Sequence, residues 1–450
     1  MLKLKRRQAP PASLPVAVLG GGPVGLAAAA HLADRGRSFV LFEAGPSVAS
    51  HVESWRHVRV FSPWEYNVDP TAAKLLLRHG WTAPPAEVLP TGGELVDLYL
   101  RPLAELPELA PHLRFGSRAV GVSRRGAGRL GTEDRDALPF VVRVQGPDGV
   151  YDVEAQAVID ATGTWSRPNP AGADGLPAIG ELEAGPRIDV GIPDVLGSRR
   201  QDFAGRRVAV VGAGHSAVQS ILALLDLRQQ SRDAAGAEPG ILWILRRRNL
   251  DAVFGGGASD ALPARGALGT RLKEAVDAGR LTLQQPFFIE RIDTDDGGLA
   301  IHGRTDTSRR MVRADRLIVA TGSRPDLSFL DELRLELDPI VQAPRYLAPK
   351  IDPNLHSCGT VPPHGVKELR HPESGFFIVG SKAYGRAPTF LLRTGYEQVR
   401  SVVAELDGDL RAARRVELVL PATGVCKADA APAPAGNAKA APAACCGGAC

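Results

Sequence analysis

Two glycine-rich turns, one beginning at Gly20 and the other at Gly212, divide this chain into similar halves and leave it few folds to adopt. In the first, the apolar run Val16–Leu19 leads straight into Gly-Gly-Gly-Pro-Val-Gly, with Gly20, Gly22 and Gly25 in the G-x-G-x-x-G positions. Such a run before such a turn predicts a buried parallel strand, and Leu26–Ala33 predicts a helix broken at Gly36. Gly20 permits the tight turn, Gly22 lets a pyrophosphate approach the backbone, and Gly25 lets helix pack on strand. A second strand ends in Glu43, 23 positions after Gly20, where an acid holds a ribose by its hydroxyls. Strand, turn, helix and acid in that order predict a dinucleotide site rather than a glycine loop without a ligand.

The second turn, Gly-Ala-Gly-His-Ser-Ala, places Gly212, Gly214 and Ala217 in the same positions, with Ser216 beside them. Its second strand, Ile241–Leu245, is followed by Arg246, Arg247 and Arg248 instead of a carboxylate. A guanidinium fork suits a 2′-phosphate that an acid would repel, so these arginines predict NADP over NAD. The alternative is a solvated basic loop. Both halves close on the same tripeptide, Ala161-Thr162-Gly163 and Ala320-Thr321-Gly322. Alternating segments that predict a β-meander precede each: Phe140–Val144 with Tyr151–Val153, then Leu281–Ile292 with Leu299–Ile301. Thr162, Gly163, Thr321 and Gly322 are therefore candidate cofactor contacts, since a glycine exit lets the chain pass close to a ligand.

With these pieces assembled, the chain resembles the flavoproteins with two dinucleotide-binding domains, and within them the class B flavin monooxygenases. The matching pieces are the first turn with Glu43, Pro90-Thr91-Gly92 through Glu94 to Tyr99, and Ala161-Thr162-Gly163 with Pro168 and Pro170. The second turn and Ala320-Thr321-Gly322 with Arg324-Pro325-Asp326 complete the set, which spans residues 14 to about 400. The resemblance implies an α/β fold of two Rossmann-like domains with inserted β-meanders, the NADP domain inserted in the FAD domain. Expected boundaries are a tail over 1–13, FAD segments over 14–203 and 316–420, an NADP segment over 204–315 and a second tail over 421–450. In the return segment, Gly375–Gly380 predicts a buried strand with Gly380 at the cofactor. Pro388 and Thr389 then open a helix ending near Leu406. By the resemblance that helix start faces the flavin, and its dipole favours negative charge there; an ordinary capped helix is the alternative.

Two departures from the resembling enzymes stand out. They carry F-x-G-x-x-x-H before the NADP turn, whereas Glu181–Phe203 holds no histidine and has Gly191-Ile192-Pro193-Asp194 in that stretch. The disulfide reductases of the superfamily use a C-x-x-C beside the flavin, and this sequence contains none.

Residues around a substrate are harder to read. The aromatic-rich stretch Ser54–Asn67 predicts either a wall beside the flavin, with Trp64 and Asn67 near its reactive edge by analogy, or packing under a loop. His356, Cys358 and His364 form either a metal cluster or a proline-rich loop with a satisfied histidine. Beyond Leu420 the chain turns to Ala, Pro, Gly and Lys, a composition that cannot bury enough apolar surface to order itself. Four of the five cysteines lie there: Cys426, Cys445, Cys446 and Cys450. Clustered thiolates select soft ions such as trivalent arsenic or mercury. The arrangement is similar to the mobile C-terminal cysteine pair of mercuric reductase and suggests the flavoproteins associated with arsenic resistance. Cys445, Cys446 and Cys450 are the candidate metal ligands; zinc binding or an idle tail are the alternatives.

A net charge of +4 spread along the chain gives no nucleic-acid face, and Val16–Ala30 is too short and interrupted to span a membrane. Residues 1–13 lack the apolar segment of a signal peptide, so the cytoplasm is the expected compartment. The expected function is an FAD-dependent, NADPH-consuming monooxygenase, in which a C4a-peroxyflavin oxidises a soft nucleophile: nitrogen, sulfur or a trivalent arsenical. Its partners would be O₂ and a small-molecule or metalloid substrate. An NADPH-dependent reductase of metal or thiol substrates, and a nucleotide-binding redox sensor, are the competing expectations.

Overall fold

The computed structural model describes residues 14–260, 262–355, 361–388 and 390–418. Its first five-stranded sheet is wholly parallel and runs, edge to edge, Phe376–Ile378, Ala157–Asp160, Val16–Leu19, Phe39–Phe42 and Leu113–Arg114. The central strand is flanked in register on both sides, with Val18 opposite both Leu41 and Ile159. That is why it is a continuous apolar run: every residue of Val16–Leu19 is completely buried. The helix Pro23–Asp34 follows, and its buried alanines Ala27–Ala30 present a small face to its neighbours.

A second parallel sheet repeats the plan in the order Thr282–Gln284, Gly240–Ile244, Arg207–Val211, Arg316–Val319 and Ile188–Val190. Its crossover helix, His215–Asp233, buries Ala217, Val218, Ile221 and Leu224 against the strands. Each half also carries a three-stranded antiparallel sheet. One is Arg118–Arg124, Phe140–Gly146 and Gly149–Ala155; the other is Phe288–Asp295, Gly298–Arg304 and Arg309–Ala314. One large apolar core lies around the first sheet, and two smaller ones lie against the second. Among the described residues no helix is long and apolar enough to cross a membrane.

Three sequence expectations need adjusting. Leu281–Ile292 is not one meander segment, because Thr282–Gln284 joins the parallel sheet and the meander starts at Phe288. The expected limits 204 and 315 fall inside the second sheet. Ile188–Val190 pairs with Leu317–Val319, so strands from outside those limits complete it. The last long helix spans Leu392–Leu406 rather than opening at Pro388. Leu391 holds the extended N-cap conformation, and Pro388 lies exposed in a bend three residues before it.

Two short segments cross between the halves and are stitched together. The Ser323 hydroxyl donates to Thr164 Oγ1 at 2.8 Å, and Arg324 N donates to Arg167 O at 3.0 Å. Asn169 N donates to Gly322 O at 2.9 Å, Asn169 Nδ2 to Thr321 O at 3.1 Å, and Thr321 Oγ1 to Asn169 O at 2.7 Å.

Candidate functional site

A cavity of about 630 Å³ opens at the carboxyl ends of the first sheet, walled by the glycine turn, Glu43 and the Ala161–Gly163 exit. This is where open parallel sheets bind nucleotides. Gly20 has φ +99°, and a Cβ there would lie 2.7 Å from Ala161 O. A Cβ on Gly25 would lie 1.8 Å from Gly20 O, so strand and helix touch through this position. Gly22 is different: no heavy atom lies within 4 Å of where its Cβ would be. Its backbone faces open cavity, the room that a pyrophosphate approaching a helix start needs.

Glu43 sits in the cavity wall, buried, at the end of Phe39–Phe42. Its Oε2 accepts from Gly21 N at 2.6 Å and its Oε1 from Gly45 N at 2.7 Å. One carboxylate thus fixes the turn and keeps lone pairs for a ribose hydroxyl. Thr162, Gly163 and Gly380 also line the cavity, as do Phe390 and Leu392 at the start of the last long helix. Gly380 is held from behind. Its N–H donates to Gln398 Oε1 at 2.7 Å, and Gln398 Nε2 donates to His364 Nε2 at 3.0 Å. Burial lowers the His364 pKa, which favours the neutral ring, and its Nδ1–H donates to the carbonyl Pro362 O. His364 is therefore a satisfied histidine; His356 and Cys358 lie outside the described residues, among which no metal-binding cluster occurs. The cavity size, the open Gly22 face and the Glu43 carboxylate fit an FAD.

Trp64 and Asn67 do not reach this cavity. Trp64 is part of the core, and Asn67 is only 2% exposed. The Asn67 amide donates to Ser62 O at 2.6 Å and to Pro63 O at 2.9 Å, while its oxygen accepts from Ser62 Oγ at 3.0 Å. This amide is spent on folding its own loop, so the packing alternative describes both residues. The aromatic wall is made instead by Trp55 and Trp165, whose ring centres are 6.4 Å apart. Gly191, from the stretch that departs from the monooxygenase fingerprint, packs against Trp165: a Cβ there would lie 3.2 Å from the Trp165 ring. Trp165 follows the exit turn by two residues, the one local signal that pointed to it.

The second turn has the same geometry. Gly212 has φ +135°, and a Cβ would lie 2.2 Å from Ala320 O; Gly214 is open. Ser216 lies half-buried in the first turn of His215–Asp233. The His215 ring packs 5.0 Å from Phe61 of the other half, and Gln219 Nε2 donates to Arg59 O at 3.4 Å. Arg246 and Arg248 are exposed at the end of Gly240–Ile244, with Arg247 half-buried. Arg246 Nη1 donates to Ala173 O at 2.7 Å, and Arg248 grips Asp306 with two nitrogens. The Thr321 hydroxyl is used by the Asn169 crossing, with Gly322 at φ +84° beside it. Pro388 is absent from the cavity wall; Thr389, Cys445, Cys446 and Cys450 lie outside the described residues.

Comparison with known proteins agrees with this double plan. The family described as pyridine nucleotide-disulphide oxidoreductase matches residues 14–370. A ferredoxin–NADP reductase of Gluconacetobacter diazotrophicus is 31% identical over 188 residues, 40% of this chain and 46% of that protein. The chain thus matches under half the length of that curated relative. Among solved structures, a bacillithiol disulfide reductase from Bacillus cereus superposes with a TM-score of 0.63 at 18% identity, covering 88% of this chain and 99% of that one. A flavin monooxygenase from Stenotrophomonas maltophilia gives a TM-score of 0.53 at 22% identity, covering 88% and 98%.

Proposed function

The chain belongs to the pyridine nucleotide-disulphide oxidoreductase family and has FAD and NADPH as its cofactors, and from that premise we propose that it is a monooxygenase of soft nucleophiles. The observation that carries this reading is the absence of a thiol from the FAD cavity among the described residues. The wall holds Val24, Trp55, Trp165 and Phe390, and none of the described residues is a cysteine. A disulfide reductase passes electrons from flavin to a sulfur pair beside it. Among the described residues the cavity wall offers no such acceptor, which favours a small molecule as the electron acceptor. Bound FAD would supply the hydride acceptor and the activation of O₂. The chain's own part is orientation and exclusion of water: Glu43 and Gly22 hold the nucleotide, while Trp55, Trp165 and Phe390 make an apolar cover. The overall reaction balances as NADPH, a proton, O₂ and substrate giving NADP⁺, water and the oxygenated substrate.

The proposed substrate carries a lone pair on nitrogen, sulfur or trivalent arsenic. The thiols Cys445, Cys446 and Cys450 favour the thiophilic end of that range, with arsenic resistance as the cellular role and the cytoplasm as the place of action. The same thiols favour the second reading, a reductase of metal or thiol substrates. Isotope-labelled O₂ separates the two. A monooxygenase places one labelled oxygen in the product for each NADPH consumed. Anaerobic NADPH turnover on arsenic or disulfide substrates, with no label in product, would establish the reductase instead. Deleting residues 427–450 should leave FAD content intact and slow turnover of trivalent arsenicals at low concentration.

A further inference from the structure

Behind the cavity wall lies a buried charge cluster that cofactor binding by the glycine turns does not explain. Lys382 and Asp160 both have side chains with no solvent exposure, and Lys382 Nζ lies 2.6 Å from Asp160 Oδ2. A second ammonium hydrogen is donated to Thr162 Oγ1 at 3.0 Å, and Nζ stands 4.4 Å over the Phe329 ring. Thr162 closes the cluster: its hydroxyl donates to Asp160 Oδ1 at 2.6 Å and its N–H to the same oxygen at 3.1 Å. Thr162 and Phe329 face the cavity, as do Gly380 and Ser381 just ahead of Lys382. A second carboxylate, Asp326, lines the cavity nearby. Burial pushes its carboxyl up, but bonds from Ser328 and the charges of Lys382 and Arg167 hold it below its ordinary value.

Burying two charges costs desolvation, and an apolar pair would fill a Rossmann strand end without that cost. The pair does join two residues 222 positions apart, Asp160 at the end of the strand Ala157–Asp160 and Lys382 in the turn Gly380–Tyr384. A salt bridge is not needed for joining, because Val379 N already donates to Asp160 O at 2.9 Å. What the ammonium adds is fixed positive charge one residue behind the wall, in a setting where solvent screens little.

We propose that Lys382 is a positioning residue for the flavin: it fixes Thr162 in the cavity wall and its charge, balanced by Asp160, sets how readily bound FAD accepts electrons. The proposal rests on FAD occupying this cavity. It predicts a sign that mere bracing does not. Removing the positive member disfavours the negative charge gained on reduction, and removing the negative member favours it.

The test measures FAD content, FAD affinity by fluorescence titration of the apoprotein, and the FAD midpoint potential by anaerobic dye equilibration. Lys382→Met strands Asp160 and should weaken FAD binding by about tenfold or more and shift the potential down. Asp160→Asn should shift the potential up. The double variant strands no charge, should fold and take up FAD, and should lie between the two. If Lys382→Met alone fails to fold, the sign is read in the Asp160→Asn background, where adding Lys382→Met must lower the potential. Shifts of the same sign in both single variants, or no shift on adding Lys382→Met to Asp160→Asn, would overturn the charge role. Native protein that neither carries nor takes up FAD would instead remove the cofactor assignment on which the proposal rests.

Discussion

Glu43 receives the N–H of Gly21 at 2.6 Å and so braces the glycine turn from the neighbouring strand. The same carboxylate also faces the cavity, which gives it two tasks that substitution can separate. Glu43→Gln keeps an acceptor and should weaken FAD binding mildly. Glu43→Ala leaves the Gly21 and Gly45 N–H groups without their partner and removes the ribose ligand. Charged hydrogen bonds are worth about 1.5–3 kcal/mol each, so the loss should be about ten- to a hundredfold in FAD affinity. Fluorescence titration of the two apoproteins checks the order.

Gly22 and Gly25 should respond to the same change in opposite ways. At Gly25 a methyl group meets backbone, 1.8 Å from Gly20 O, so Gly25→Ala must push strand and helix apart and lower the melting temperature even without cofactor. At Gly22 it meets nothing, and the backbone is extended at φ −79°. Gly22→Ala should therefore leave apoprotein stability unchanged or raise it by about 0.4–1 kcal/mol. It should still cost FAD, because the methyl group stands where phosphate approaches. Thermal melts with and without added FAD separate the two effects.

These contrasts mark what a sequence can disclose. The glycine turns, Glu43 and the two Ala-Thr-Gly exits were legible because each is a local requirement: a positive φ, a close approach, an acid at a fixed spacing. The pairing of Lys382 with Asp160 was not, because it joins residues 222 positions apart and neither side chain has a spacing to announce it. Asp160 did leave a trace, a carboxylate that ends the otherwise apolar strand Ala157–Asp160. Trp64 and Asn67 misled because an aromatic-rich stretch looks alike whether it lines a cavity or packs beneath one. The burial of Trp64 in the core and the hydrogen bonds of Asn67 with Ser62, Pro63 and Tyr396 decide it. Pro388 misled because proline also stands in the bend ahead of a helix, not only in its first turn.

The arginine cluster should set nucleotide preference, but not equally. Arg248 is already held by Asp306, whereas Arg246 spends a single nitrogen on Ala173 O. Replacing Arg246, Arg247 and Arg248 together by alanine should weaken NADPH by about ten- to a hundredfold and NADH little. Replacing Arg248 alone should do less than replacing Arg246 alone. Steady-state KM values for both nucleotides across the three variants make the comparison, and equal effects on NADPH and NADH would mark the cluster as surface charge.

Acid should destabilise the protein through His371. Burial of its ring lowers the pKa to about 4, against an ordinary value of 6.5. Nδ1 accepts from Glu336 N at 3.3 Å, Nε2 is buried without a partner, and the ring packs 6.0 Å from Phe376. A charged imidazole here would lose that accepted bond and stand desolvated. The folded protein therefore binds this proton less readily than the unfolded chain does. Its contribution is fully present above about pH 6.5 and fades as the pH falls toward 4, by up to about 3 kcal/mol. His371→Phe removes the titrating group and keeps the aromatic packing. Urea unfolding at a series of pH values should show a shallower loss of stability between pH 6.5 and 4 in this variant than in the native chain. Parallel curves for the two proteins would mean that the acid sensitivity lies in other groups.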